Sequence, residues 1–453
     1  MTVEITNPWT GQVDYRYEYF DAAAVEQVLA RSQAAFPTWS GLSLVERGGF
    51  LVKVGANLRE HRERIAGIMS AEMGKLHREA VAEVEKCAGA CDYYAAHAID
   101  YLADQPISTE AARSYVTYEP LGCVFAVMPW NFPIWQVFRF LAPGLMAGNV
   151  ALLKHASNVP RCADVIAEML QLAGIPDGVL GVLHVDNATA AEVIADPRVQ
   201  AVTLTGSDKA GRSVASTAGQ SLKKCVMELG GSDPFVVLDD ADLDLTVPLA
   251  VSSRFGNAGQ TCIAAKRFIV TEKIADAFVQ RFVEAAGKLQ VGDPGDAATT
   301  LAPMVRADLR DELHSQVSKS IAAGAKVLLG CVPGMGASHY PASILDSVKP
   351  GMPAYSEELF GPVAAIIRVK DDADAVRVAN DTSFGLGASV WTTDKARGEA
   401  AARQIRAGAC FVNAIVRSDV RMPFGGTKSS GFGRELAEHG IHEFMNIKTV
   451  YVA

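Results

Sequence analysis

Apolar side chains recur at helical spacing through the first hundred residues. Asp21 suits an N-cap, and Val25, Val28, Leu29, Ser32 and Phe36 follow it on one mostly apolar face. Further helices are predicted over 44–70 and 75–102, the second with Val84, Cys87, Cys91, Tyr94 and Ala98 on one stripe. Two runs of strand formers, 114–119 and 123–128, flank Pro120-Leu121-Gly122 and predict a hairpin.

Short apolar strands then alternate with helices. Strands are predicted at 150–154, 179–185, 201–205 and 224–228, and helices at 159–172, 188–195 and 209–218. That alternation predicts a parallel sheet covered by helices on both faces. A second α/β pattern starts at 234–238 and runs to about residue 415. From Gly425 the tail is Gly-rich, then briefly helical, and ends in a strand-like run over 446–452. That last strand has no local mate, which predicts pairing with another domain or subunit.

Composition narrows the class. The chain has 453 residues, 49% hydrophobic and 21% charged, which fits a globular multidomain protein. Its net charge of −9 argues against a nucleic-acid surface or a polybasic membrane patch. The start lacks a signal-peptide pattern, and no apolar run is long enough to span a membrane, so a cytoplasmic enzyme is expected. Eight Cys are too sparse for a disulfide framework, so the question is which thiol reacts.

Cys262 follows Phe255-Gly256-Asn257-Ala258-Gly259-Gln260-Thr261, whose two glycines allow tight turns that could present a thiol and its own N–H at a cleft. Cys87, Cys91 and His97 lack the paired spacing of a metal site, so core packing and no metal are expected. Glu228 ends a predicted strand before Gly230-Gly231, and is either a general base or a solvated loop carboxylate. Thr205-Gly206-Ser207-Asp208-Lys209-Ala210-Gly211 is either a phosphate-holding turn or an ordinary strand–helix turn. Asn131, Trp135 and Arg139 fall at steps of four on one helical face, with Pro133 at the helix start. Arg139 has apolar neighbours and needs an anionic partner if buried, either a structural carboxylate or a substrate carboxylate.

Together, Pro129–Pro133, Glu228–Gly231, Gly259–Cys262, Glu358-Leu359-Phe360-Gly361-Pro362 and Pro423-Phe424-Gly425-Gly426 resemble the aldehyde dehydrogenase superfamily over essentially the whole chain. The resemblance implies an α/β fold: a Rossmann-like NAD(P)-binding domain over 1–105 and 121–229, an α/β catalytic domain over 230–424, and a small β oligomerisation arm from 106–120 and 425–453. It implies Cys262 as nucleophile, Asn131 with the Cys262 N–H as oxyanion hole, and Glu228 as the base that activates water. Trp130, Gly206, Ser207, Gly211, Glu358 and Phe360 are the implied cofactor contacts. A homodimer or homotetramer is implied.

The resemblance also speaks to cofactor and substrate. Lys154 resembles the family lysine at the adenosine ribose, and Ser157 stands where NAD-preferring members tend to have Glu. A neutral donor beside Lys154 suits a 2′-phosphate, so NADP is expected over NAD. The chain is similar to the shorter succinate semialdehyde dehydrogenases, also in Lys154-His155-Ala156-Ser157-Asn158. That likeness implies a semialdehyde substrate, with Trp135, Arg139, Arg417 and Ser418 as its contacts. Gly256 replaces an arginine of longer relatives, which leaves glutarate semialdehyde as an alternative, and a CoA-acylating semialdehyde dehydrogenase is the further rival.

Overall fold

The computed structural model describes residues 2–334 and 336–453. The chain begins with an antiparallel pair, Thr2–Thr6 and Val13–Glu18, where the helical reading of the first hundred residues expected none. These runs are short, and only Ile5 is buried. Helix Ala22–Ser40 is capped as expected, the Asp21 side chain accepting from the Ala24 N–H at 2.8 Å. The 44–70 stretch is two helices, Leu44–Glu60 and Arg62–Met73, bent apart at His61 (φ −99°, ψ 9°). In helix His77–Tyr101, Val84, Cys87, Cys91, Tyr94 and Ala98 are fully buried, the stripe read from the pattern.

Six strands form the first sheet, in the order Gly431–Phe432, Lys224–Glu228, Val199–Thr205, Cys123–Met128, Val150–His155, Leu180–Val182. All pairs are parallel except the first. The predicted 114–128 hairpin does not form. Cys123–Met128 is apolar throughout and takes an inner place in the parallel sheet, where both faces are buried. Arg113–Pro120 has a half-exposed face and pairs instead with Gln105–Pro106 and the terminal strand Met445–Val452. Residues 425–444 also depart from the expected arm. Gly431 and Phe432 pair with Glu228 and Met227, and Leu436, Ile441 and Phe444 join the core of the first sheet.

Seven strands form the second sheet, in the order Lys326–Leu329, Ser343–Asp346, Val363–Val369, Ala265–Thr271, Asp233–Val237, Gly387–Trp391, Ala409–Val412. Only its first pair is antiparallel. Each face carries its own apolar core, with Val236 and Ile269 in one and Phe235, Phe268 and Trp391 in the other. Phe235 stacks on Trp391 with ring centres 4.7 Å apart. Among the described residues no helix is long and apolar enough to cross a membrane.

Candidate active site

Cys262 lies in the loop between helix Leu243–Phe255 and strand Ala265–Thr271. The turn before it is tighter than two glycines explain. Gly256 has an ordinary φ of −54°, and the left-handed conformation falls on Asn257 (φ 53°), Ala258 (φ 52°) and Gly259 (φ 69°). For a residue with a Cβ this costs about 1–2 kcal/mol, so the surroundings must enforce it. The Asn257 amide donates to the carbonyls of Asn131 (2.9 Å) and Gln260 (3.2 Å). Arg254, fully buried, donates to the carbonyls of Gly259 (2.6 Å) and Gly361 (2.7 Å). Lys266 donates to the carbonyls of Cys262 (2.6 Å) and Thr261 (3.0 Å) and pairs with Glu358 at 3.2 Å.

The loop thus ties strand, cofactor-side segment and nucleophile together. Burial pushes the half-buried Cys262 thiol up to about 11, against the pull of Arg139 and Lys266. Its N–H makes no hydrogen bond among the described residues. Asn131 is buried and donates one amide hydrogen to the Gln260 carbonyl at 3.0 Å, leaving its second hydrogen available.

Glu228 is buried at the end of its strand, and neither carboxylate oxygen has a hydrogen-bond partner among the described residues. It packs against Gly425, where an added Cβ would stand 2.7 Å from Glu228 Oε1. Burial drives its carboxyl well above the usual range; Arg139 opposes that shift and Glu435 reinforces it. The solvated-loop alternative is therefore set aside.

A cavity of about 480 Å³ opens beside Cys262, with Asn131, Trp130, Gly206, Glu358 and Phe360 on its walls. Trp130 meets Phe360 edge to face, ring centres 5.7 Å apart. Glu358 accepts from the Gly231 N–H at 3.0 Å. The 205–211 turn offers less to a phosphate than its pattern promised. The Gly206 N–H donates to the Glu228 carbonyl at 3.0 Å, and the Ser207 hydroxyl caps helix Asp208–Gln220. Gly211 lies against Leu229, 2.6 Å from where its Cβ would be, and does not line the cavity.

Lys154 and Ser157 lie outside this cavity. Lys154 is 8% exposed and has no ion-pair partner among the described residues, and burial holds its ammonium below the usual range. Ser157 is exposed, its carbonyl accepting from the Tyr17 hydroxyl at 3.0 Å. Between them, His155 links to the Pro133 carbonyl through Nε2 (2.7 Å) while Nδ1 accepts from the Ala156 N–H (2.9 Å). This nearly buried cation makes no ion pair among the described residues, Asp186 acting on it only through space, and the exposed Ser157 lies three residues on, a combination compatible with a phosphorylated ribose.

A second cavity, about 330 Å³, lies behind Trp135 and is bordered by Thr261 and Ile263 on either side of Cys262. The start of helix Trp135–Met146 is fixed by Glu83, which accepts from the N–H groups of Ile134 and Trp135 (both 2.9 Å) and pairs with buried Lys75. Ser418 accepts from Trp135 Nε1 (3.1 Å) and from Lys86 Nζ (2.6 Å). Of the expected substrate contacts Trp135 borders the second cavity, whereas Arg139, Arg417 and Ser418 line neither cavity. Arg139 is 2% exposed, pairs with Glu435, donates to Thr205 Oγ1 (3.1 Å), and lies over the Phe424 ring. Its anionic partner is thus the structural carboxylate, and it lines neither cavity. Arg417 is exposed and lines neither cavity as well.

Lys86, Lys266, Arg254, Glu83 and Glu435 were missed by the sequence reading. Lys266 had a signal, charges set between apolar neighbours in Ala264-Ala265-Lys266-Arg267-Phe268, whereas Glu83 and Lys86 lie in the charged run Glu83-Val84-Glu85-Lys86 and Glu435 follows Arg434.

Two cavities that each border the strained thiol loop, with a buried amide and a buried carboxylate, suit a cofactor-dependent oxidoreductase site. Residues 1–450 match the aldehyde dehydrogenase family, and the chain belongs to it. It is 48% identical to a probable succinate-semialdehyde dehydrogenase [NADP(+)] of Synechocystis, with all of both chains covered. It is also 48% identical to a succinate semialdehyde dehydrogenase [NAD(P)+] of Escherichia coli, covering 98% of this chain and 96% of that one. Among solved structures it is similar to the NADP+ complex of succinic semialdehyde dehydrogenase from Streptococcus pyogenes, at 37% identity, TM-score 0.97 and 99% coverage of both chains.

Proposed function

We propose that this protein is an NADP-dependent succinate semialdehyde dehydrogenase that forms succinate. The observation that carries the reading is a cavity that has Cys262 and Asn131 on its walls, in a chain whose buried Glu228 has no hydrogen-bond partner for its carboxylate among the described residues. The relatives named for this activity support it. The Cys262 thiolate attacks the aldehyde carbon to give a thiohemiacetal. Its developing oxyanion is stabilised by the free hydrogen of the Asn131 amide and by the Cys262 N–H. When bound, NADP+ would supply the hydride acceptor for the thiohemiacetal carbon. The Cys262 thioester that remains is hydrolysed by water, whose proton Glu228 takes in its ionised form. A carboxyl pushed up by burial makes a stronger base once ionised, and a general base of this kind is worth roughly 10²–10⁴ in rate. The presence of Glu228 favours water over CoA as the acyl acceptor.

Lys154 and Ser157 would hold the 2′-phosphate of NADP, while Trp130, Glu358 and Phe360 would border the nicotinamide end. Eight free thiols fit a cytoplasmic enzyme, and the exposed apolar side chains of the terminal strand fit a homodimer or homotetramer. The test is NADPH formation with succinate semialdehyde, followed as free succinate rather than an acyl-CoA. Ser157→Glu places a carboxylate beside Lys154 and is expected to lower the NADP/NAD ratio of kcat/KM by about tenfold or more. An unchanged ratio rejects the cofactor assignment.

A further inference from the structure

We infer that Asn257 is a positioning residue for the oxyanion hole, its side-chain amide holding Asn131 against the loop that carries Cys262. The inference rests on the roles proposed above for Cys262 and Asn131 and names the residue that fixes their spacing. The two halves of the hole come from different sheets. Asn131 follows strand Cys123–Met128 of the first sheet, and Cys262 precedes strand Ala265–Thr271 of the second. A misplacement of about 1 Å can cost about 10²-fold in rate, so the hole needs a tie between the two segments.

Two hydrogen bonds form that tie. Among the described residues, segment 129–134 is hydrogen-bonded to loop 256–264 by Asn257 Nδ2 donating to the Asn131 carbonyl (2.9 Å) and by Asn131 Nδ2 donating to the Gln260 carbonyl (3.0 Å). Asn257 Nδ2 also donates to that Gln260 carbonyl, at 3.2 Å, which closes a ring of three residues. Both acceptors of Asn257 are main-chain carbonyls, which cannot donate, so its amide nitrogen must face them. The ring fixes the Asn131 main chain and its amide together, two residues before the nucleophile. Glu83 anchors the same segment from its other end, through the N–H groups of Ile134 and Trp135.

Asn257 is itself held from several sides. It is 4% exposed, and Glu79 accepts from its N–H at 3.3 Å through each carboxylate oxygen. Its carbonyl accepts from the Gln260 N–H (3.0 Å) and from Gln260 Nε2 (3.3 Å). Gln260 is held in turn by the Val305 N–H, which donates to Oε1 at 2.9 Å. A left-handed backbone at a residue with a Cβ persists only where its surroundings over-determine it, and such strain gathers at active sites. Asparagine tolerates the φ of 53° better than most side chains, and here it also supplies the two donors.

The test is a double-mutant cycle read as kcat/KM for succinate semialdehyde with saturating NADP. Removing one oxyanion-hole donor costs about 10²–10³ in rate, the loss expected of Asn131→Ala. Asn257→Gly keeps the left-handed backbone and removes the amide. It is expected to lower kcat/KM by about tenfold or more, with KM for NADP held within about threefold. In the Asn131→Ala background the same change is expected to cost less than about threefold, because the group it positions is gone. Alkylation of Cys262 by iodoacetamide builds no oxyanion, and in Asn257→Gly its rate is expected to stay within about threefold. Asn257→Asp has the same size but sets a carboxylate against two carbonyls; the same outcomes are expected of it, and it stands in if the glycine variant does not fold. Suppose Asn131→Ala lowers kcat/KM as expected. If Asn257→Gly then leaves kcat/KM unchanged, multiplies with Asn131→Ala, or slows the alkylation in step with turnover, the Asn257 assignment is overturned and the oxyanion-hole reading stands. If Asn131→Ala itself stays within about threefold of the unmodified enzyme, the oxyanion-hole reading falls and the inference with it.

Discussion

Arg139 acts on three groups from one buried position. It pairs with Glu435, restrains the upward shift of Glu228, and is the largest pull on the Cys262 thiol toward the thiolate. Removing one partner of a buried pair typically costs about 3–5 kcal/mol, because the other charge is left unpaired. Arg139→Ala is therefore expected to lose stability and to lower kcat for charged and uncharged aldehydes alike. The sign of its pH effect follows from the same field. Without the guanidinium the Cys262 thiol moves above about 11, so alkylation by iodoacetamide shifts to higher pH and slows at any pH below the new value. A selective rise in KM for succinate semialdehyde, with an unshifted alkylation profile, would instead make Arg139 a substrate contact.

At the scale of elements, strands buried on both faces were legible because they are apolar runs bounded by turns. Lys224–Glu228 is found with the bounds its pattern predicted, and Val150–His155 and Val199–Thr205 within one or two residues at each end. Arg113–Pro120 was misread because its chief partner, Met445–Val452, lies more than three hundred residues away and no local pattern encodes that pairing. The Asn257-Ala258 turn was invisible for a different reason. Neither residue favours a left-handed backbone strongly enough to announce it, and the enforcing bonds come from Asn131, Gln260 and Arg254. The site motifs could be found in order along the chain, whereas the Lys86–Ser418 contact joins two segments that only the fold brings together.

One link between elements titrates. Burial lowers His155 to about 4, and its neutral ring joins the end of strand Val150–His155 to the Pro133 carbonyl. The folded pKa lies below the ordinary value near 6.5, so the unfolded chain binds the proton first as pH falls. The stabilisation is complete above pH 6.5 and is lost on acidification toward pH 4. The loss should be roughly 2 kcal/mol between pH 7 and pH 5. Urea unfolding at both pH values checks this: His155→Gln is expected to be less stable at pH 7 and to show a smaller acid-dependent loss. An equal loss in both proteins rejects His155 as its source.

For the molecule as a whole, a net charge of −9 coexists with a site that must attract two anions, the semialdehyde and the cofactor. Local cations can offset this, Lys154 outside the first cavity and Lys86 on the border of the second, neither in an ion pair among the described residues. The same whole-molecule view applies to the terminal strand. Met445–Val452 lies at the edge of its three-stranded sheet and leaves Ile447 61%, Tyr451 51% and Val452 48% exposed. This edge strand offers unpaired backbone groups and these apolar side chains to a second copy; its own Lys448 is tied to Glu119 at 2.8 Å, and further lysines at the apolar positions would oppose that pairing. The unmodified protein is expected to sediment at a multiple of 48.1 kDa. The pair Ile447→Lys and Tyr451→Lys is expected to shift it to a single chain at micromolar concentration. Strand Met445–Val452 would still pair with Arg113–Pro120, and helix content by circular dichroism should be retained. Sedimentation of the unmodified protein as one chain, or an unshifted mass in the double variant, rejects this strand as the contact between copies.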